Sequence, residues 1–174
     1  MTVSHLKAVL FGVGSFCLPI LVLLIAAWAD GIYPLGGASF IEADLRYQYV
    51  DFFAWYRDVL LGNADPFYST AQGLGNSTAA MFGYYLASPF NLILPAFDEK
   101  DIPLFCFIVV LLKIGCIQLS TAFYLCKRFS LGYLWSCMLA LGFSLSVWTL
   151  TQLRNPMWLD GLIMLPLCAW SVCL

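Results

Sequence analysis

Apolar positions fall into long, nearly uncharged runs separated by short polar bridges. Residues 8–28 carry no charge and, at about 1.5 Å per helical residue, are long enough to cross a hydrocarbon core of about 30 Å. Further runs cover 102–126, 129–150 and 157–174; the first contains Lys113, and the last has Asp160 near its start and Pro166 within it. This pattern predicts membrane helices. The stretch from Glu42 to Arg57 departs from it. Read as a helix, that stretch puts Leu45, Tyr49, Phe52, Phe53, Tyr56, Val59 and Leu60 on one face, and Asp44, Gln48, Asp51 and Asp58 on the other. Ser39 and Glu42 have capping-box spacing and would start the helix near Phe40, and the run Gly62-Asn63-Ala64-Asp65-Pro66 ends it. It fits a helix lying in the membrane interface, rings toward lipid and carboxylates toward water, and equally a solvated helix face without chemistry.

Gly31, Pro34, Gly36 and Gly37 mark the connection out of the first run. Residues 67–79 are rich in Gly, Ser, Thr and Gln, with Gly73-Leu74-Gly75-Asn76 at their centre. That composition makes a flexible loop, or one whose backbone amides approach a phosphate. Residues 79–97 are uncharged but interrupted by Ser88-Pro89 and Pro95. If they crossed the membrane, Lys127-Arg128 would fall outside, against the excess of Lys and Arg at cytoplasmic ends. If they lie in the interface, or dip in and return, Lys127-Arg128 is cytoplasmic and residues 29–101 form an outer loop. His5 and Lys7 before the first run and Asp30 after it place the N-terminus inside. A cleaved signal peptide would explain a basic start, but the run is longer than an ordinary signal core and further spans follow.

Hydrophobic residues make up 62% of the chain and charged residues 10%, which is too apolar for a soluble domain. The net charge of -2 leaves no basic surface for nucleic acid. Of the seven cysteines, all but Cys126 sit inside apolar runs as small packing residues, without metal-ligand spacing. Cys126, beside Lys127 and Arg128, stands at a boundary suited to acylation. Leu174 falls inside an apolar run, from which we expect an N-terminal part of a longer polytopic protein.

The favoured topology brings Asp44, Arg154 and Asp160 to the outer face. An arginine there can hold a phosphate bidentately while a carboxylate takes a proton, so an anionic, lipid-linked substrate is one reading; interfacial charges alone would give a similar set. Lys113 falls near the middle of its span. It calls for a partner carboxylate, a water-filled cavity or an anionic ligand, or it snorkels along its own helix.

Several blocks together resemble the bacterial YfhO family of multi-pass membrane proteins: residues 43–53 (Ala-Asp-Leu-Arg-Tyr-Gln-Tyr-Val-Asp-Phe-Phe), Gly73-Leu74-Gly75-Asn76 with 84–93 (Tyr-Tyr-Leu-Ala-Ser-Pro-Phe-Asn-Leu-Ile), Leu-Leu-Lys-Ile-Gly at 111–115, and 155–167 (Asn-Pro-Met-Trp-Leu-Asp-Gly-Leu-Ile-Met-Leu-Pro-Leu). The resemblance implies an all-α integral membrane protein similar to the GT-C glycosyltransferases, a transmembrane helical bundle with membrane-parallel amphipathic helices in the first outer loop. It also implies transfer of a sugar from polyprenyl phosphate to a cell-envelope polymer such as teichoic acid, at the outer face of the bacterial plasma membrane. A lipid-charging glycosyltransferase and a flippase would supply the donor. By that resemblance Asp44 is the base that deprotonates an acceptor hydroxyl, Arg46 or Arg154 neutralises the departing lipid phosphate, and Asp160 orients acceptor or helix. Gln48, Tyr49 and Lys113 complete the expected substrate-contacting set. No Asp-x-Asp pair is present, so a divalent metal is not implied, and the expected donor is the lipid-linked sugar with no separate cofactor. The competing readings are a transporter or flippase component with Lys113 and the carboxylates along its path, and a structural membrane partner. A transporter commonly shows repeated, broken spans, and the chain has no internal repeat.

Overall fold

The computed structural model describes residues 3–70 and 75–172. In chain order it contains α1 (Val3–Ala29), a π-helical turn (Leu45–Tyr49) leading into α2 (Val50–Leu60), strands β1 (Tyr68–Ser69) and β2 (Asn76–Ser77), and α3 (Ala79–Met81). A second π-helical turn (Phe82–Leu86) and a 3-10 stretch (Pro89–Ala96) precede α4 (Ile102–Phe129), α5 (Tyr133–Ser144), α6 (Val147–Thr151) and α7 (Pro156–Val172). The protein is therefore mostly helical. Among the described residues, His5–Ala29 and Glu99–Phe129 are long and apolar enough to cross a membrane, and the bent pair Tyr133–Ser144 and Val147–Arg154 would make a third if it is one span. The chain divides into two compact units, Met1–Ser39 with Val110–Leu174, and Phe40–Val109.

In the first unit the neighbouring helices each meet α4 through a specific residue. A β-carbon at Gly115 would lie 2.7 Å from Phe16 Cε2 and 3.0 Å from Ile20 Cδ1, so the absent side chain is what lets α1 approach, as small residues do between membrane helices. Gln118 is fully enclosed; its Nε2 donates to the Cys137 carbonyl at 2.9 Å and its Oε1 accepts from Ser144 Oγ at 2.7 Å. That pairing ties α4 to α5 and leaves no polar end of the amide facing hydrocarbon. Phe11 stacks on Tyr133 at 4.6 Å, and Phe123 meets Trp170 edge-on at 5.1 Å. Lys127 and Arg128 occupy the last turn of α4, where cations suit the helix dipole.

The uncharged run 129–150 reads as one continuous span, but the structure breaks it into α5 and α6, bent by 46°. Ser146 makes the break: its Oγ accepts from the Thr149 amide at 3.3 Å and so caps a new helix. Thr149 Oγ1 donates to the Phe143 carbonyl at 2.9 Å, satisfying the frayed end of α5.

The second unit is held by aromatic packing. Leu45, Tyr49, Phe53 and Tyr56 are buried along one face of the π turn and α2, while Asp51 and Asp58 are exposed. Phe53 and Phe97 both pack edge-on against Phe105, at 5.0 and 5.6 Å. Each such ring stabilises by about 1.5–3 kcal/mol when buried, and an edge-on pair adds about 0.5–1.5 kcal/mol. The helix starts later than the capping-box spacing predicts. Residues 39–42 are not helical, and the first helical turn follows Ala43, whose φ of 49° lies in the left-handed region. At the other end Gly62, with φ of 78°, closes α2: its amide reaches the Val59 carbonyl at 3.0 Å and that of Asn63 reaches Asp58 at 2.8 Å, the paired bonds of a Schellman ending. Residues 79–97 form short helical pieces divided at Ala87 and Ser88, because Pro89 cannot donate and restricts the residue before it.

Candidate functional site

Asp44 begins the helical run with ordinary helical angles, directly after the left-handed Ala43. Holding a non-glycine residue there costs about 1–2 kcal/mol, a strain of the kind that collects at functional sites. From Leu45 to Tyr49 the turn is widened, with the Val50 amide reaching back to the Leu45 carbonyl. Such π turns are rare and also recur at functional sites. The second π turn, Phe82–Leu86, belongs to the same unit and meets the first through one side chain. Tyr85 Oη donates to Gln48 Oε1 at 2.8 Å, and its ring sits 5.3 Å from Tyr49, edge-on, and 5.0 Å from Phe52.

Asp44 is partly exposed, and it forms no hydrogen bond or ion pair through its side chain with any other described residue. Burial, then Tyr84 and the Asp44 carboxylate, hold the Tyr85 phenol above its ordinary value. Tyr85 therefore keeps its proton at neutral pH, and its bond to Gln48 Oε1 leaves the NH2 end of the Gln48 amide outside it. Arg46 is exposed, its guanidinium 5.8 Å above the Tyr47 ring. The Asp44 turn thus combines an open carboxylate, an amide fixed by a phenol, and an exposed guanidinium.

Tyr49, expected in the substrate-contacting set, lies inside the unit. It is 0% exposed, enclosed between Phe53 and Tyr85, so it supports the turn from beneath. The alternation along the helix had already placed it on the apolar face.

Lys113 and Asp160 come together in the first unit. Lys113 is 1% exposed; its Nζ donates to Asp160 Oδ2 at 2.8 Å and to the Pro156 carbonyl at 3.0 Å. Pro156 and Asp160, four residues apart, lie on one face of α7, so the lysine grips the first turn of that helix. Of the readings open for an intramembrane lysine, the structure takes the partner carboxylate. The Lys113 ammonium is thus enclosed by protein groups. Asp160 lies one turn into α7, with 30% of its side chain exposed. Arg154 is exposed at the end of the 3-10 turn Gln152–Arg154, two residues before Pro156.

Tyr85 was not singled out from the sequence. It lies within the Tyr84-Tyr85 doublet of an uncharged segment, and only the packing of the two π turns gives it a partner. Gln118 was missed as well, although a glutamine within an apolar span is itself a signal for an interhelical hydrogen bond. Of the loop Gly73-Leu74-Gly75-Asn76, Gly73 and Leu74 lie outside the described residues. Among the described residues, no group of three or more His, Cys, Asp or Glu side chains is arranged to hold a metal ion.

Compared with known proteins, residues 15–173 match the family described as bacterial membrane protein YfhO. No curated protein and no solved structure matches the chain.

Proposed function

The chain belongs to the YfhO family of bacterial membrane proteins, and from that premise we propose that it is a multi-pass glycosyltransferase of the GT-C kind. It moves a sugar from a polyprenyl-phosphate donor to a cell-envelope polymer such as teichoic acid at the outer face of the plasma membrane. The N-terminus is cytoplasmic, and α2 lies along the membrane surface within the first outer loop. Asp44 carries the chemistry. It takes the proton of an acceptor hydroxyl as that oxygen bonds to the anomeric carbon, and the bond from this carbon to the phosphate oxygen breaks, its electron pair leaving with the polyprenyl phosphate. Arg46, exposed two residues along, neutralises the departing phosphate. A lipid-charging glycosyltransferase and a flippase supply the donor.

The observation that carries this reading is the state of Asp44: a partly exposed carboxylate, without an ion-pair partner among the described residues, on a strained π-helical turn. A general base must have its lone pair uncommitted, and a carboxylate already locked to a cation is a poor one. In the complete protein, Asp44→Asn is expected to abolish sugar transfer while leaving membrane insertion intact. Transfer retained at the wild-type rate would remove Asp44 from the role. Orientation is checked by cysteine labelling: Asn63→Cys reacts from outside and Lys127→Cys from the cytoplasm, and both reacting from one side would sink the topology.

The alternative, a transporter or flippase component for lipid-linked or anionic solutes, draws on the buried Lys113–Asp160 pair, since ionisable groups inside membrane helices often line transport paths. It requires the charges themselves. A folded Lys113→Met/Asp160→Leu protein would be inactive on that reading and would keep transfer on ours.

A further inference from the structure

We infer that Tyr85 is a positioning residue that turns the Gln48 amide into a fixed donor for a sugar hydroxyl beside Asp44. This rests on the function proposed above and specifies which part of the substrate the turn recognises.

Asp44 and Gln48 are four residues apart at the entrance to the first π turn, a spacing that puts them on one side of the helical run. An unconstrained glutamine amide can present either its oxygen or its NH2 to a ligand. Here the oxygen is taken: Tyr85 Oη donates to Gln48 Oε1 at 2.8 Å. Tyr85 is itself held on two sides, edge-on to Tyr49 at 5.3 Å and to Tyr84 at 4.7 Å, and it is carried by a second π turn. Two uncommon turns of one unit therefore converge on a single hydrogen bond that sets the polarity of one amide.

The outcome is a pair of opposite character, a carboxylate that accepts and an amide that donates. Sugar hydroxyls both donate and accept, so neighbouring hydroxyls of one ring are matched by such a pair. A phosphate oxygen only accepts and would be repelled by Asp44. The cation suited to phosphate, Arg46, is exposed next to the Tyr47 ring. The Gln48 end of the turn is therefore assigned to the sugar.

The test is binding of two probes to the complete chain in detergent: glucosyl farnesyl phosphate, and farnesyl phosphate without the sugar. Tyr85→Phe keeps the ring and its packing and removes only the hydroxyl; Gln48→Glu replaces the donor by an acceptor. We expect Gln48→Glu to weaken the sugar-bearing probe at least tenfold and Tyr85→Phe about three- to tenfold, with farnesyl phosphate unchanged. In Gln48→Ala, adding Tyr85→Phe should cost nothing more, because the hydroxyl acts through the amide. Wild-type binding of the sugar-bearing probe by both single variants would overturn the inference. So would equal losses on both probes, fully additive losses in the double variant, or no binding of the sugar-bearing probe by the wild-type chain. Transfer, assayed separately, reports on the proposed function. A protein that binds as expected but transfers nothing would discard the enzyme and keep the sugar site.

Discussion

Asp44 stands at the mouth of a π-helical turn, after a left-handed alanine, with its carboxylate partly exposed and unpaired among the described residues. Asp160 stands one turn into α7, where Lys113 meets it at 2.8 Å and reaches past it to the Pro156 carbonyl. Both sit near the start of a helix, and both were expected at one face of the membrane. The difference lies in what each charge faces. At Asp160 the carboxylate neutralises a lysine that is 1% exposed, and its lone pairs serve the fold. At Asp44 they remain open to a ligand. Position in the sequence nominates carboxylates for chemistry, and the neighbouring cation distinguishes the paired one from the one proposed as the base.

Substitutions at the pair sharpen this contrast, because its two members are not equally enclosed. Asp160→Leu leaves the enclosed Lys113 ammonium without its carboxylate and should cost about 3–5 kcal/mol, the usual result of removing one partner of a buried ion pair. Lys113→Met should cost less, since Asp160, with 30% of its side chain exposed, is the less enclosed member of the pair. The double variant should recover most of the loss. Unfolding of detergent-solubilised protein measures all three; equal losses for the two single variants would mean that the pair is not the asymmetric clamp described here. A smaller effect is expected at Gly115, where valine must displace the Phe16 ring lying 2.7 Å from the added β-carbon. Overpacking of this kind costs about 1–3 kcal/mol and should leave the Asp44 turn untouched. If Gly115→Val altered transfer at constant stability, the separation of structural from reactive regions would fail.

The features legible in the sequence were those written in local pattern. The face carrying Leu45, Tyr49, Phe53 and Tyr56 follows from helical spacing, because one helical face gathers all four of these apolar side chains. The end of α2 was legible because Gly62 supplies the left-handed residue that a helix ending needs. The start was not: Ala43 takes that conformation without being glycine, so nothing in its identity announces it. The break between α5 and α6 was hidden by uniform apolarity, although Ser146 with Thr149 three residues later carries a capping signal. Lys113 advertised its need for a partner, but Asp160 as that partner depends on how α7 packs against α4. Tyr85 was the least legible, since its role comes from the meeting of two π turns far apart in sequence.

The contrast between the two carboxylates is tested most directly by measuring sugar transfer and folded yield side by side for Asp44→Asn and Asp160→Asn in the complete protein. The account predicts that Asp44→Asn accumulates at wild-type level with transfer abolished, whereas Asp160→Asn loses folded protein and the surviving fraction still transfers. Transfer retained by Asp44→Asn, with activity lost per folded molecule in Asp160→Asn, would reverse the assignment and contradict the account.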